Sequence, residues 1–290
     1  MNHIMSRQTF KEGVARWLFA AAAAISILAV ALICLFLFAN GVPAMAQIGL
    51  PDFLLGTTWK PGSDTYGIFP MIVGSLYVTA GAIVVGVPAG ILTAIFLSRF
   101  ANTTVVRLLK PAVELLAGIP SVVYGFFGLM VVVPLVRSIG PGNGLSLLAA
   151  SFLLGIMILP TIITVSKNAL DAVPQSYYEG ALALGATHER SVFRIIVPAA
   201  FSGIMASIVL GVGRAIGETM AVVMVAGNQA VIPSSIFDGV RTMTANIVLE
   251  MGYAADLHRG ALIATGVVLF VFVMLISLLF SAIKKRGTVK

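Results

Sequence analysis

Six stretches of the chain stay apolar for about 20 residues or more, the length that carries an α-helix across roughly 30 Å of hydrocarbon. They fall near 17–39, 70–98, 112–136, 145–166, 197–226 and 260–283. Polar residues collect between them, so the pattern predicts an all-α membrane protein with six transmembrane helices. The polar segments 40–69 and 227–259, on one side of that arrangement, are too short for independent domains. On the other side, residues 167–196 read as a helix of their own. Pro174 stands at its first turn, an alanine-rich body follows, and Gly185 sits where a helix can end and turn.

Charge adds a direction to this pattern. Only 10% of the 290 residues are charged and 59% are hydrophobic, against roughly 25% charged in soluble domains. The 18 Lys and Arg outnumber 11 Asp and Glu, but they sit in small groups at the ends of apolar runs and not along one face, which argues against nucleic-acid binding. Both termini, with segments 99–111 and 167–196, hold 13 of the basic residues; the opposite side holds only Lys60, Arg137, Arg241 and Arg259. Positive residues favour the cytoplasm, so both termini are expected there. Ala44-Met45-Ala46 after the first run imitates a signal-peptidase site, and cleavage would leave five spans. The run from Trp17 to Ala39 exceeds the usual 7–15 residues of a signal core and is read as an anchor. The single cysteine, Cys34, lies in that run, so no intramolecular disulfide forms. His3, His188 and His258 share no ligand spacing and take no role, and no metal site is expected.

Two charges lie inside an apolar stretch, in GRAIGETMAV at 213–222. Arg214 and Glu218 are four residues apart, on one face of a continuous helix where they can pair. At about 1.5 Å per residue, Arg214 falls roughly 24 Å beyond Pro198. Each such charge costs at least about 2.5–3.5 kcal/mol in a membrane, so it faces a partner or a water-filled path. One reading is a neutralised pair that holds helices together. The other makes Arg214 a path residue whose planar guanidinium meets an oxyanion. Glu218 then accepts a hydrogen bond from a protonated oxyanion and repels one without a proton. In GIPSVVYG, Pro120 with Gly118 and Gly125 predicts a kinked or unwound helix, making Ser121 and Tyr124 candidates to line the path, or ordinary packing residues. The pairs Gly86/Gly90 and Gly213/Gly217 permit close helix contact. Glu114 pairs with Lys110 at i,i+4 or touches the coupling region.

Glu179-Gly180-Ala181, Gly185, nine residues, then Ile195-Ile196-Val197-Pro198 resembles the E-A-A-x3-G-x9-I-x-L-P signature of permease subunits of bacterial ABC importers, with Gly180 for an alanine and Val197 for a leucine. ELLAGIPSVVYGFFGL at 114–129, IMILPTI at 156–162, ALALGAT at 181–187 and GRAIGETMAVVMVAGN at 213–228 are together similar to the PstC-type permeases of phosphate importers. The resemblance runs from about residue 50 to the last span. It implies the MetI-like fold of type I ABC importers, with six transmembrane helices and a cytoplasmic coupling helix. The implied organisation is a cytoplasmic N-terminus at 1–16, an anchor helix at 17–39, an extracytoplasmic loop at 40–69, a transport core at 70–283 containing the coupling helix at 174–190, and a basic tail at 284–290. Glu179, Gly180 and Ala181 lie on the ATPase-facing helix, Gly185 at its turn and Pro198 at the start of the next span.

Implied partners are a second, PstA-type permease, two cytoplasmic ATPase subunits, an extracytoplasmic phosphate-binding protein, phosphate and membrane lipid, in the bacterial inner membrane. The chain itself has no G-x-x-x-x-G-K-S/T, so it is not expected to be an enzyme or to bind a cofactor, and ATP with Mg belongs to the partner ATPase. Asp52, Lys60, Asp64, Asp238, Arg241 and Glu250 either dock the binding protein or are simply solvated. The rival readings are a permease for sulfate or molybdate, a stand-alone secondary transporter or channel, and a membrane sensor.

Overall fold

A computed structural model describes residues 2–287. The side chains of residues 2–12, 281 and 283–287 lie outside that description, and with them His3, Arg7, Lys11, Lys284, Lys285 and Arg286. Helix α1 (Asn2–Ile48) is followed by α2 (Leu50–Leu55) and a hairpin of β1 (Trp59–Lys60) and β2 (Thr65–Tyr66), with Trp59 opposite Tyr66. Then come α3 (Phe69–Ile95), ending in a π-helical turn, α4 (Thr103–Gly118), α5 (Ser121–Phe127), α6 (Val133–Ile139) and α7 (Leu147–Asp171). The short α8 (Gln175–Ala183), α9 (His188–Ser191) and α10 (Val197–Ala199) lead to α11 (Phe201–Gly217), α12 (Met220–Val225), α13 (Met243–Glu250) and α14 (Asp256–Gly287).

Five helical stretches are long and apolar enough to cross a membrane: Gly13–Ile48, Phe69–Phe100, Ser121–Ile139, Leu147–Asp171 and Asp256–Phe280. A sixth consists of His188–Ala199 and Phe201–Gly217, bent by 67°. Helix α1 continues through Pro43, so the signal-like Ala44-Met45-Ala46 is helical, and Ala44 and Met45 are buried. Its large apolar side chains from Trp17 to Phe36 are exposed, as on a helix surrounded by lipid. Leu37 lies against Gly266, Gly41 against Ala264 and Ala44 against Gly260, so α1 and α14 run antiparallel. The start of α1 and the end of α14 are therefore at one end of the bundle, the terminal end, opposite a distal end.

The core forms three layers. Phe53, Trp59, Tyr66, Met71, Met243 and Leu262 pack at the distal end. Val78, Tyr124, Leu153, Ile158, Val222 and Val225 fill the middle, and Ile95, Leu170, Val192, Ile196 and Ile204 close the terminal end. The main seam joins α3 to α7. A Cβ on Gly86 would lie 2.7 Å from the Gly155 carbonyl oxygen, and one on Gly90 2.7 Å from Ile162 Cγ2, so both positions require glycine's lack of a side chain.

Two of the predicted spans differ from the structure. The stretch 112–136 divides at Ile119–Pro120, where both backbones are extended, and only Ser121–Ile139 is spanning. Upstream, α4 is an amphipathic helix with no buried residue, capped by Asn102, whose side chain accepts the Val105 N–H at 2.9 Å. Lys110 and Glu114 approach to 3.9 Å on its exposed surface, an ion pair worth about 0.3–0.5 kcal/mol. The stretch 197–226 also divides. Its helical axis turns at Ala200, and the helix stops at Gly217 to restart at Met220.

Candidate functional site

The break in the fifth span decides how its two charges are used. Glu218 is extended, with φ −69° and ψ 132°, so the i,i+4 geometry of a helix does not hold between it and Arg214. No ion pair joins them among the described residues, so the pairing that one helix face would allow is not made. Glu218 Oε1 instead accepts the Ala221 backbone N–H at 3.1 Å, at the start of α12. The Glu218 N–H donates to the Ala215 carbonyl at 3.3 Å and the Thr219 hydroxyl to the Gly217 carbonyl at 3.2 Å, so polar groups freed by the break find local partners. Glu218 Oε2 and the Arg214 guanidinium make no hydrogen bond among the described residues.

Arg214 is exposed, and a Cβ on Gly213 or Gly217 would meet nothing within 4 Å. Those two glycines face open space rather than another helix of this chain. Because the axis turns at Ala200, the straight path from Pro198 is replaced by 13 residues of α11 after Phe201, roughly 20 Å. Tyr124 is buried within electrostatic reach of Arg214. Its hydroxyl donates to the Leu116 carbonyl at 2.8 Å, bridging the break at Ile119–Pro120. Half-buried Ser121 opens α5 beside it. Helices α5 and α12 touch at Gly125, where a Cβ would lie 2.6 Å from Met224 Sδ and 3.0 Å from Ala221 Cα. Two interrupted helices thus meet with an exposed cation that makes no hydrogen bond among the described residues and a half-used carboxylate beside the junction, an arrangement suited to holding a small anion.

At the terminal end, α8 closes with a Schellman motif. The Ala186 N–H donates to the Ala181 carbonyl at 3.1 Å and the Gly185 N–H to the Leu182 carbonyl at 2.9 Å, with Gly185 at φ +82°. Glu179, Gly180 and Gly185 are exposed, and so are Tyr177 and Leu184. Ala181 is 4% exposed and packs against its own chain, so it lies on the helix but not on its outward face. Pro198 is exposed within α10, two residues before the turn at Ala200, so it lies in the first arm of the bent span and not at the start of α11. His188, which carried no sequence signal, accepts or donates at Nδ1 to the Tyr178 hydroxyl over 2.8 Å and stands edge-on to Phe100 at 4.8 Å. That contact pins α8 to the end of α3.

At the distal end the structure assembles a polar network among residues expected to be loop charges. Glu250 is 6% exposed. Its Oε1 accepts from Arg241 Nη1 at 2.7 Å, and its Oε2 is 2.8 Å from both Trp59 Nε1 and His258 Nε2. Removing one partner of a buried pair of this kind costs about 3–5 kcal/mol. Glu250 is therefore not a solvated charge, and Arg241 is committed to it. Tyr66 stacks on His258, and burial pushes its phenol above the ordinary value, helped by a 3.1 Å hydrogen bond to Asp64. Nearby, the Ser234 hydroxyl and the backbone N–H groups of Ser235 and Ser234 hold the Asp238 carboxyl below the usual range.

The fold and this geometry place the chain in a known class. It belongs to the family described as binding-protein-dependent transport system inner membrane component, which matches residues 86–288. It is accordingly a permease subunit of an ABC importer, a multi-pass protein of the inner membrane that operates with ATPase and binding-protein partners. Within that family its similarity is to PstC-type permeases. It is 36% identical over 265 residues to the phosphate transport system permease protein PstC of Mesorhizobium japonicum, covering 84% of this chain and 81% of the relative. It is 40% identical over 295 residues to the probable ABC transporter permease protein YqgH of Bacillus subtilis, covering 99% and 96%. Among solved structures, an inward-facing MetNI methionine ABC transporter superposes with a TM-score of 0.56 at 23% identity over 76% of this chain and 94% of that one. An ABC transporter involved in alginate import gives 0.60 at 16% identity over 96% and 99%. These structures share the MetI-like fold.

Proposed function

We propose that the chain is the PstC-type half of an ATP-driven importer that moves inorganic phosphate into the cytoplasm. Its partners in this reading are a PstA-type permease, two ATPase subunits and an extracytoplasmic phosphate-binding protein. The terminal end is cytoplasmic, and α8 is the coupling helix, presenting Glu179, Tyr177 and Leu184 to the ATPase. The observation that carries the reading is the interruption after Gly217, which leaves Arg214 exposed and, among the described residues, without a hydrogen-bond partner, and one oxygen of Glu218 uncommitted. Arg214 offers a bidentate contact to two phosphate oxygens. Glu218, anchored by Oε1 to α12, turns its other oxygen to the P–OH of hydrogen phosphate, a hydrogen bond that sulfate lacks a proton to make.

ATP binding draws the ATPase subunits together, the coupling helices follow, and the path opens outward to receive phosphate from the binding protein. Hydrolysis resets it inward. The test is ATP-dependent uptake into proteoliposomes containing all subunits, with Glu218→Gln against wild type and sulfate as competitor. Loss of a hydrogen bond to a charged group is worth about 1.5–3 kcal/mol, or about 10- to 150-fold in kcat/KM. Phosphate uptake falling by that factor while sulfate gains ground supports the assignment. Sulfate suppressing uptake by the wild type equally well would favour a general oxyanion permease, and uptake without ATP or partners would overturn the importer reading.

A further inference from the structure

We propose that Glu250 is a positioning residue for the anion path, acting through Thr244 and Asn228 on the short helix α12. The inference rests on the reading of the Gly217–Thr219 break as part of that path. Helix α12 has six residues, too few to hold a helix by itself in isolation, so its place is set by what grips it. At its start, the Thr244 hydroxyl donates to the Glu218 carbonyl at 3.1 Å. Near its end, Asn228 Nδ2 donates to the Val223 carbonyl at 2.7 Å. Asn228 reaches back because it and Gly227 both take left-handed backbone, at φ +53° and +81°.

Both grips lead to one carboxylate. Thr244 and Glu250 belong to the same helix, α13. The Asn228 carbonyl accepts Arg241 Nε at 2.9 Å, and Arg241 Nη1 binds Glu250 at 2.7 Å and Asn246 Oδ1 at 3.0 Å. Glu250 then fixes this unit to the hairpin through Trp59 and to α14 through His258. Met243 N donates to Ser75 Oγ at 2.9 Å, tying the start of α13 to α3. Three separate parts of the distal end thus converge on Glu250, and two hydrogen bonds carry its position to either end of α12. A carboxylate that only stabilised the fold would need its donors but not these outward links.

The test uses the complete reconstituted transporter and compares Glu250→Gln, Thr244→Val, Thr244→Ser and the double variant Glu250→Gln/Thr244→Val, with Arg214→Ala as reference. Each chain's thermal unfolding is measured beside its KM and kcat for phosphate uptake. Thr244→Val keeps the shape and removes the hydroxyl. The expected result is a loss of about fivefold in kcat/KM, the scale of one neutral hydrogen bond, restored by Thr244→Ser, with unfolding unchanged. Glu250→Gln should lose more, and the double variant should lose no more than Glu250→Gln alone because both act on one link. Full transport per folded molecule in Thr244→Val overturns the proposal, including the case in which Glu250→Gln fails to fold. Additive losses in the double variant overturn it as well. Normal uptake in Arg214→Ala would instead sink the path assignment itself, so the two failures are distinguishable.

Discussion

Replacing Gly125 with Ala adds one methyl group where α5 and α12 approach most closely. That methyl would stand 2.6 Å from Met224 Sδ and 3.0 Å from Ala221 Cα. The sulfur ends a flexible side chain and can swing aside. The Cα is backbone and moves only if α12 moves. Overpacking of this kind costs about 1–3 kcal/mol, offset by about 0.5–1 kcal/mol because alanine is the better helix former at a position with helical backbone. The net expectation is a loss of about 1–2 kcal/mol in thermal unfolding of the purified complex. Phosphate uptake should fall with it, since α12 begins at the residue after Thr219 and Glu218 caps it. Gly118→Ala is the control: a Cβ there meets nothing within 4 Å in helical backbone, so uptake should stay at the wild-type level and stability should not fall, with a gain of up to about 0.5–1 kcal/mol. Wild-type stability and uptake in Gly125→Ala would refute the close packing of the two interrupted helices.

Two further outcomes follow from the distal end. Trp59→Phe keeps the aromatic contacts with Tyr66 and His258 but deletes the 2.8 Å donor to Glu250; it should destabilise the chain by about 1.5–3 kcal/mol, measured by thermal unfolding, and a neutral result would refute the charged hydrogen bond. Asp238 has a folded-state pKa below the unfolded value, so its contribution is present above the ordinary aspartate range and is lost as pH falls through the lowered value. Amide protection at Ser234 and Ser235, corrected for intrinsic exchange, should therefore stay flat from neutral pH through the ordinary range and drop only below it, whereas Asp238→Asn should show weak protection throughout.

The spanning helices were legible because a run of about 20 apolar residues has few alternatives in a membrane. The break at Ile119–Pro120 was legible too, since proline removes a donor and restricts the residue before it. The break after Gly217 was not. GRAIGETMAV contains no proline, and its apolar period runs on unbroken, so Arg214 and Glu218 looked like neighbours on one helix. The remaining signal was Gly217 followed by Glu218-Thr219, two residues whose side chains compete for backbone groups. Helix α4 was hidden because its apolar face at 112–119 merges with the true span after Pro120. The distal network could not be read at all: Trp59 and Glu250 are 191 positions apart, and no spacing rule links a hairpin, a loop and two helices. His258 and His188 were passed over for the same reason, since each meets its partners only in three dimensions.

The seam of α3 and α7 carries a mechanical consequence. With Gly86 against the Gly155 carbonyl and Gly90 against Ile162, two long unbroken helices of the transport core touch backbone to side chain and backbone to backbone along their length. Neither can slide or rotate against the other without collision, so they form a rigid frame. Whatever opens one mouth of the permease and closes the other must then be hinged elsewhere, at Ala200, at Ile119–Pro120 and at Gly217–Thr219. Each of these breaks separates short helical pieces, so the moving parts stay short while the wall behind them stays still.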